Sequence, residues 1–258
     1  MYINLLVHIL FKYVESFKTG IQVLDEILPN GIPRNNMVLI LGEGGTGKSV
    51  LITHLMYARL LADEPCIFIC FDDIPIAVIQ LSLLFKWNLL EYANRDLLRF
   101  IDCFSFRMAP DRSTIPPYIT YIENPRDLYG LVTAITNLMD KLNMNSRGAV
   151  FIDSLTELLS LTETTIALEV IKILRAECSK ERNVPIFGTF HFGVKPFDDV
   201  EQILEYIVDG IIDLRYDPHY MQQGFLVKQF RVRKMKGVPH STNWVSFSIN
   251  SSGIFKIT

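Results

Sequence analysis

Gly42-Glu43-Gly44-Gly45-Thr46-Gly47-Lys48-Ser49 fits the pattern G-x-x-x-x-G-K-[ST] without gap or substitution. The chemistry served by that pattern is a grip on a nucleoside triphosphate and its Mg²⁺. The glycines let backbone N–H groups converge on phosphate oxygens, and a helix that starts at the end of the loop adds positive potential. Lys48 can reach the β- and γ-phosphates, and the Ser49 hydroxyl can ligate Mg²⁺. The candidate nucleotide-binding set is therefore Gly42, Glu43, Gly44, Gly45, Thr46, Gly47, Lys48, Ser49 and the following Val50.

Other groups can complete such a site. Asp153 ends the apolar run Ala149-Val150-Phe151-Ile152. A carboxylate at a strand end downstream of a phosphate loop can hold the metal through water beside the loop serine. Its alternative role is to cap the next turn. Asp72 and Asp73 end the strand that follows the loop helix in sequence. Strand C-terminal ends share one edge of a parallel sheet, so these carboxylates can face the γ-phosphate and orient or deprotonate the attacking water. Asp73, just before Ile74-Pro75, is equally suited to capping a helix. The basic run Phe230-Arg231-Val232-Arg233-Lys234-Met235-Lys236-Gly237-Val238-Pro239-His240 is the remaining cluster. Strand alternation puts Lys234 and Lys236 on one face. That face is either a solvated hairpin or a set of cations that stabilises charge on a neighbour's transferring phosphoryl group.

The elements needed to position these residues are legible. Met37–Leu41 is an apolar run of strand length, and residues 50–61 contain neither Gly nor Pro and read as a helix. Residues 65–71 are a continuous apolar run, which suits a strand covered on both faces; 149–154 reads as a strand ending in a carboxylate and 184–190 as another buried strand. Leu98 to Phe104 reads as a further strand, and Ser105 to Asn124 as a long irregular loop. Helices are expected from Ile74-Pro75 to about Trp87, from Pro125 to Leu142, from Thr164 to Arg182 and near Val200 to Tyr206. Ile166, Val170, Ile171, Leu174 and Cys178 fall on one face of the third. After the strand Gly210–Leu214, the segments 225–235, 244–249 and 254–257 read as antiparallel hairpin strands. The fold class is α/β, with a mostly parallel central sheet flanked by helices and continued by C-terminal antiparallel strands.

Composition limits the alternatives. The 258 residues are 49% hydrophobic and 21% charged, which describes a globular chain with a large core. A net charge of -3 argues against general attraction to nucleic acid or anionic membranes. Cys66, Cys70, Cys103 and Cys178 have no zinc-site spacing and read as reduced core thiols of a cytoplasmic protein. The apolar N-terminus, residues 1–16, ends too soon to span a bilayer and makes a poor signal peptide. It is expected either to pack on the domain or to dock on another subunit.

Several segments occur in an order that resembles the RecA-superfamily ATPases of the KaiC and RadA type. Phe17-Lys18-Thr19-Gly20-Ile21, Leu24-Asp25-Glu26 and Gly31-Ile32-Pro33 lead into the loop. Phe151-Ile152-Asp153-Ser154-Leu155-Thr156 resembles the Walker B segment, and Val208-Asp209-Gly210-Ile211-Ile212-Asp213-Leu214 a late strand. Lys234-Met235-Lys236-Gly237 with His240 resembles the K-x-R-G…H signature of KaiC domains. The resemblance covers residues 17 to 257 and is closest to the archaeal one-domain KaiC-like and RadA-paralogue proteins. It implies a RecA-like ATPase domain over 17–258, ATP and Mg²⁺ as cofactors, and a homo-oligomer, often a hexameric ring, with nucleotide between subunits. It also implies that Asp72 and Asp73 activate water, and that Lys234, Lys236 and His240 reach the neighbour's nucleotide. Two departures point to slow turnover: Asp-Asp replaces the usual Glu-Glu, and Lys236 replaces an arginine, offering a point charge without the planar fork.

Three functions compete at this stage: a slow regulatory ring ATPase, a nucleotide-gated scaffold for a protein partner, and a recombinase paralogue that binds single-stranded DNA. For the third, the candidate contacts run from His191 to Lys195 and from Asp217 to Lys228, with Tyr216, Tyr220 and Phe225 available to stack bases. Asp198, Asp199 and Glu201 stand against it. By the same resemblance His191 is placed to sense the γ-phosphate.

Overall fold

The computed structural model describes residues 15–257 apart from 109, 196 and 198. The apolar N-terminus up to residue 14 lies outside the described residues, as does Asp198. Two short strands, β1 (Ser16–Phe17) and β2 (Ile32–Pro33), pair antiparallel and bracket helix α1 (Gln22–Ile27). The main sheet is built in chain order from β3 (Met37–Gly42), β4 (Cys66–Cys70), β5 (Leu98–Asp102), β6 (Ile119–Tyr121), β7 (Ala149–Asp153), β8 (Ile186–His191), β9 (Gly210–Tyr216), β10 (Lys228–Met235), β11 (Val245–Asn250) and β12 (Gly253–Lys256). Across the sheet their order is β12-β11-β10-β9-β3-β8-β7-β4-β5-β6. Every pairing from β9 to β6 is parallel, and those from β9 to β12 are antiparallel.

The apolar runs fold as strands because alternate residues feed two cores. Val38 and Ile40 point to one face, and Met37, Leu39 and Leu41 to the other. Cys66, Phe68 and Cys70 likewise oppose Ile67 and Ile69. The first core is closed by α1, α2 (Lys48–Leu61), α3 (Pro75–Leu84) and α4 (Leu89–Asn94), through Leu24, Leu51, Leu55, Ile79 and Leu89. The second is closed by α5 (Leu128–Lys141), α6 (Leu155–Ser160), α7 (Thr164–Leu174) and α8 (Val200–Ile207), through Leu131, Ile135, Leu158, Ile171 and Leu204. No helix among the described residues is long and apolar enough to cross a membrane. All four cysteines are buried and free, and burial raises each thiol's pKa.

Local chemistry moves several boundaries. The strand expected to reach Phe104 stops at Asp102, whose carboxylate accepts the N–H groups of Phe104 (3.0 Å) and Ser105 (2.9 Å) and turns the chain. The segment read as a loop contains β6, half-buried at the sheet edge and hidden in the sequence behind Pro116-Pro117. The helix expected from Pro125 begins at Leu128, because Asp127 caps it by accepting the Gly130 N–H at 2.9 Å. The helix expected through Arg182 is regular only to Leu174 and continues as π-helical turns over Arg175–Glu181. Ile166, expected on its apolar face, is exposed.

The C-terminal hairpin packs on α2, and its turn is held by His54. Gly253 has φ 101°, and a Cβ there would lie 2.6 Å from Trp87 and 2.9 Å from His54. The Ile254 N–H donates to His54 Nδ1 at 3.3 Å, and the His54 ring lies 4.7 Å from that of Trp87. Burial lowers the His54 pKa from 6.5 to about 4, so the folded chain keeps a neutral ring where the unfolded chain takes up a proton. Stability contributed here is complete above the unfolded pKa and is lost as pH falls towards the folded one. Acidification from pH 6.5 to about 5 should remove about 1.5 kcal/mol of the His54 contribution, while protonation of the buried Asp153 carboxyl, raised to about 6, adds stability over the same window. Urea titrations of the unmodified protein and His54→Gln check this: the stability difference between them should change by about 1.5 kcal/mol across the window, and a pH-independent difference would place the effect elsewhere.

Candidate nucleotide site

The central strand β3 delivers the glycine loop to the C-terminal edge of the parallel sheet, where α2 starts. Gly45 and Gly47 adopt positive φ (78° and 106°). A Cβ on Gly47 would meet Ile249 at 3.2 Å and Phe247 at 3.7 Å, so β11 walls the loop closely. The Tyr216 hydroxyl donates to the Gly45 carbonyl at 2.8 Å and pins the loop from β9. The Thr46 hydroxyl donates to the Glu43 carbonyl at 2.8 Å. Among the described residues no protein acceptor takes the N–H groups of Gly44, Gly45 or Gly47, and open space lies over Gly44. Such a concave run of free donors at a helix start suits an anion.

Lys48 folds back into the loop. Its Nζ donates to the carbonyls of Gly42 and Glu43, both at 2.8 Å. Burial lowers its pKa to about 8, against the opposing pull of Asp153, Asp72 and Glu43. Ser49 is exposed on the first turn of α2, and Val50 packs against the first core.

Asp153 ends β7 beside this group. Burial pushes its carboxyl up to about 6; the Thr189 hydroxyl, which donates to it from β8, offsets part of the rise. Asp72 adds to that rise, whereas Ser49 and Lys48 pull the value down. Asp153 is not a cap: Ser154 caps α6 by accepting the Glu157 N–H at 3.2 Å. The oxygen set of Ser49 and Asp153 fits Mg²⁺ held jointly with a nucleotide, because Mg²⁺ takes one or two carboxylates and leaves its other positions to phosphate and water. Among the described residues no cluster of three or more His, Cys, Asp or Glu forms a protein-only metal cage.

Asp72 and Asp73 diverge. Asp72 Oδ1 accepts from Ser154 Oγ at 2.7 Å and from the Ser154 N–H at 3.1 Å. Its own N–H donates to the Asp153 carbonyl at 3.2 Å, so the ends of β4 and β7 are tied together. Asp73 Oδ1 accepts only the adjoining Ile74 N–H, at 2.7 Å. The cap position of α3 is Ile74, so the alternative role of Asp73 as a helix cap is not taken up. A cavity of about 360 Å³ opens beside Asp72 and is lined also by Ser154, Thr156, His191, Arg107 and Glu157. The His191 N–H donates to Thr156 Oγ1 at 2.8 Å, and burial and the Lys48 charge lower its imidazole pKa. Arg107 is ion-paired with Glu157. Thr189, Ser154 and Thr156 escaped sequence reasoning; the one available signal was a hydroxyl interrupting each apolar run.

Lys234, Lys236 and His240 do not join this group. In the register of β10 on β9 on β3, Met235 lies opposite Gly210 and Gly210 opposite Val38, whereas the phosphate loop leaves β3 at Gly42. Four residues of parallel strand separate the two levels by about 13 Å. Lys234 Nζ donates to the carbonyls of Glu205 (2.6 Å) and Val208 (2.8 Å) at the end of α8. Lys236 Nζ lies 3.6 Å from Asp209, and His240 Nδ1 lies 3.1 Å from the Val238 carbonyl.

With this geometry in place, comparison with known proteins becomes specific. The family described as "ATPase: KaiC" matches residues 17–257. A UPF0273 protein of Pyrococcus furiosus is 30% identical over 242 residues, 93% of each chain. The circadian clock oscillator protein KaiC of Prochlorococcus marinus is 26% identical over 249 residues, which are 93% of this chain and 46% of that one. The crystal structure of a KaiC-like protein from Pyrococcus horikoshii superposes with a TM-score of 0.76 at 20% identity, covering 95% of this chain and all of the other. That likeness establishes the RecA-type fold, and the family match with the 30% identity over almost the whole length establishes membership: this chain belongs to the KaiC-type ATPase family.

Proposed function

We propose that this chain binds ATP with Mg²⁺, hydrolyses it slowly, and works as a ring-forming regulatory ATPase. The observation that carries the reading is the convergence of Lys48, Asp153 and Asp72 at the mouth of the glycine loop, close enough that each charge perturbs another. Free loop N–H groups and Lys48 bind the phosphates. Ser49 and Asp153 hold the metal, which when bound screens phosphate charge and polarises the bond to be broken. Asp72, beside its cavity, orients water for in-line attack. The slowness follows from two restraints: the Asp72 side chain is a methylene shorter than the family's glutamate, and Ser154 already holds it. Lys234, Lys236 and His240 sit on the wrong level to serve their own loop, which supports their acting on the nucleotide of an adjacent subunit.

A second reading, occupancy without appreciable turnover, draws on the same Ser154 bond to Asp72. ATP turnover measured across protein concentrations, with mass read in parallel, separates the two. For a ring ATPase, specific activity rises with assembly. Assembly without turnover supports the scaffold, and turnover that persists in the monomer rejects shared sites. Single-stranded DNA is less favoured: Tyr216 is committed to Gly45 and lies under Lys228, leaving the exposed Phe225 and Leu226 without a built stacking platform.

A further inference from the structure

At the sheet edge away from the phosphate loop, a cavity of about 490 Å³ is lined by Asn35, Asn36, Lys180, Asp209, Lys236 and Gly237. Its floor is Asp209, whose side chain is only 2% exposed. The Arg175 fork donates to both its oxygens (3.0 and 2.7 Å), Lys180 Nζ donates at 2.9 Å, and the Met37 N–H at 3.2 Å. Oδ2 takes three of these four bonds and Oδ1 one. Lys236, at 3.6 Å, is drawn to Asp209 without a hydrogen bond. Burial lowers the Lys234 pKa, and the charges of Lys236 and Arg175 add to the fall against the pull of Glu205 and Asp209. Arg175, Lys180 and Lys236 thus converge on one carboxylate, a surplus of two positive charges. Burial lowers the Lys180 pKa; its bond to Asp209 opposes that fall, and repulsion from Arg175 and Lys236 adds to it. Lys180 Nζ is also held by the Asn35 carbonyl at 2.6 Å, on the cavity rim. Two ammonium groups can each pair with a phosphoryl oxygen as point charges.

We propose that this cavity binds a phosphoryl group through Lys180 and Lys236, with Asp209 as the positioning residue that holds both ammonium groups at its rim. The inference rests on the ring reading for Lys236 but adds Lys180, which comes from the π-helical turn 175–181 and belongs to no recognised motif. The chain's own loop is about 13 Å away along the strands, so the phosphoryl group comes either from a neighbouring subunit's nucleotide or from free phosphate.

Two measurements on the full chain test it. In the first, Lys48→Ala subunits, whose basic edge is intact, are mixed with Lys180→Met/Lys236→Met subunits, whose loop is intact, and ATP turnover is followed. Adding Lys180→Met to the Lys48→Ala partner should lower the recovered kcat about tenfold with KM for ATP unchanged. Asp209→Asn in that partner should do the same. In the second, inorganic phosphate is titrated calorimetrically into Lys48→Ala protein with and without Lys180→Met. A loss of recovered kcat identifies the neighbour's nucleotide as the source; an approximately tenfold loss of phosphate affinity identifies free phosphate. If Lys180→Met, exposed enough to spare the fold, changes neither, the proposal is overturned. Absence of turnover in the unmodified protein would count against the ATPase reading alone, and the phosphate titration would still decide the cavity.

Discussion

Lys48→Ala should weaken Mg-ATP binding roughly 100- to 1,000-fold in calorimetric titration, with little change in folding stability. The two halves of that expectation have different origins. In the present arrangement the ammonium donates to two loop carbonyls, Gly42 and Glu43. Phosphate oxygens bearing full negative charge are better acceptors than these carbonyls, and a hydrogen bond between charged partners contributes about 1.5–3 kcal/mol. Losing one or two of them gives the stated loss of affinity. The folded protein, in contrast, loses a buried cation whose depressed pKa already marks it as poorly solvated. Removing the charge offsets the loss of its two bonds, so unfolding should shift by no more than about 1 kcal/mol. An unchanged ATP affinity would remove the nucleotide site from the glycine loop altogether. A large fall in stability would mean that the loop is held together by Lys48 itself.

The parts of this site legible in the sequence are those set by local geometry. A glycine loop between an apolar strand and a helix has one stable arrangement, and the residues 37–61 adopt it. Asp153 and Asp72 were legible as strand ends, because parallel strands place their C-termini on one edge. What the sequence hides is set by register across the sheet. Nothing in Lys234-Met235-Lys236 tells that its level on β10 is opposite Val38 rather than Gly42; that follows from β10 running antiparallel to β9 and from a register shift between Val232 and Lys234. The bond from Thr189 to Asp153 likewise depends on β8 lying between β3 and β7, a crossover that no local signal announces. Boundaries failed where a side chain outbid the backbone propensity, as Asp102 and Asp127 do. Asp209 reads in the sequence as one more polar residue before a strand, and only the fold gathers Arg175, Lys180 and Lys236 around it.

Asp72→Asn and Asp73→Asn should differ sharply, although the two residues are adjacent and chemically alike. Asp72 faces the cavity shared with His191, and its charge is felt by both Lys48 and Asp153. Asp73 does not line that cavity, and among the described residues its carboxylate accepts only the Ile74 N–H. Removing a general base typically lowers a rate by a factor of roughly 100 to 10,000. Because Ser154 restrains Asp72 and the aspartate is short, the base here has less to lose, and a fall of about 100-fold in single-turnover hydrolysis is expected for Asp72→Asn. ATP affinity should hold, since the amide keeps the size of the side chain. Asp73→Asn should stay within about threefold of the unmodified rate. Ser154→Ala provides the sign test for the restraint: freeing Asp72 from its 2.7 Å bond should raise hydrolysis if the bond holds the base away from water, and lower it if the bond aims the base. Equal effects of Asp72→Asn and Asp73→Asn would show that β4 supplies charge rather than a positioned base. No effect of either would move the activating group to the remaining polar lining of the cavity, His191 first.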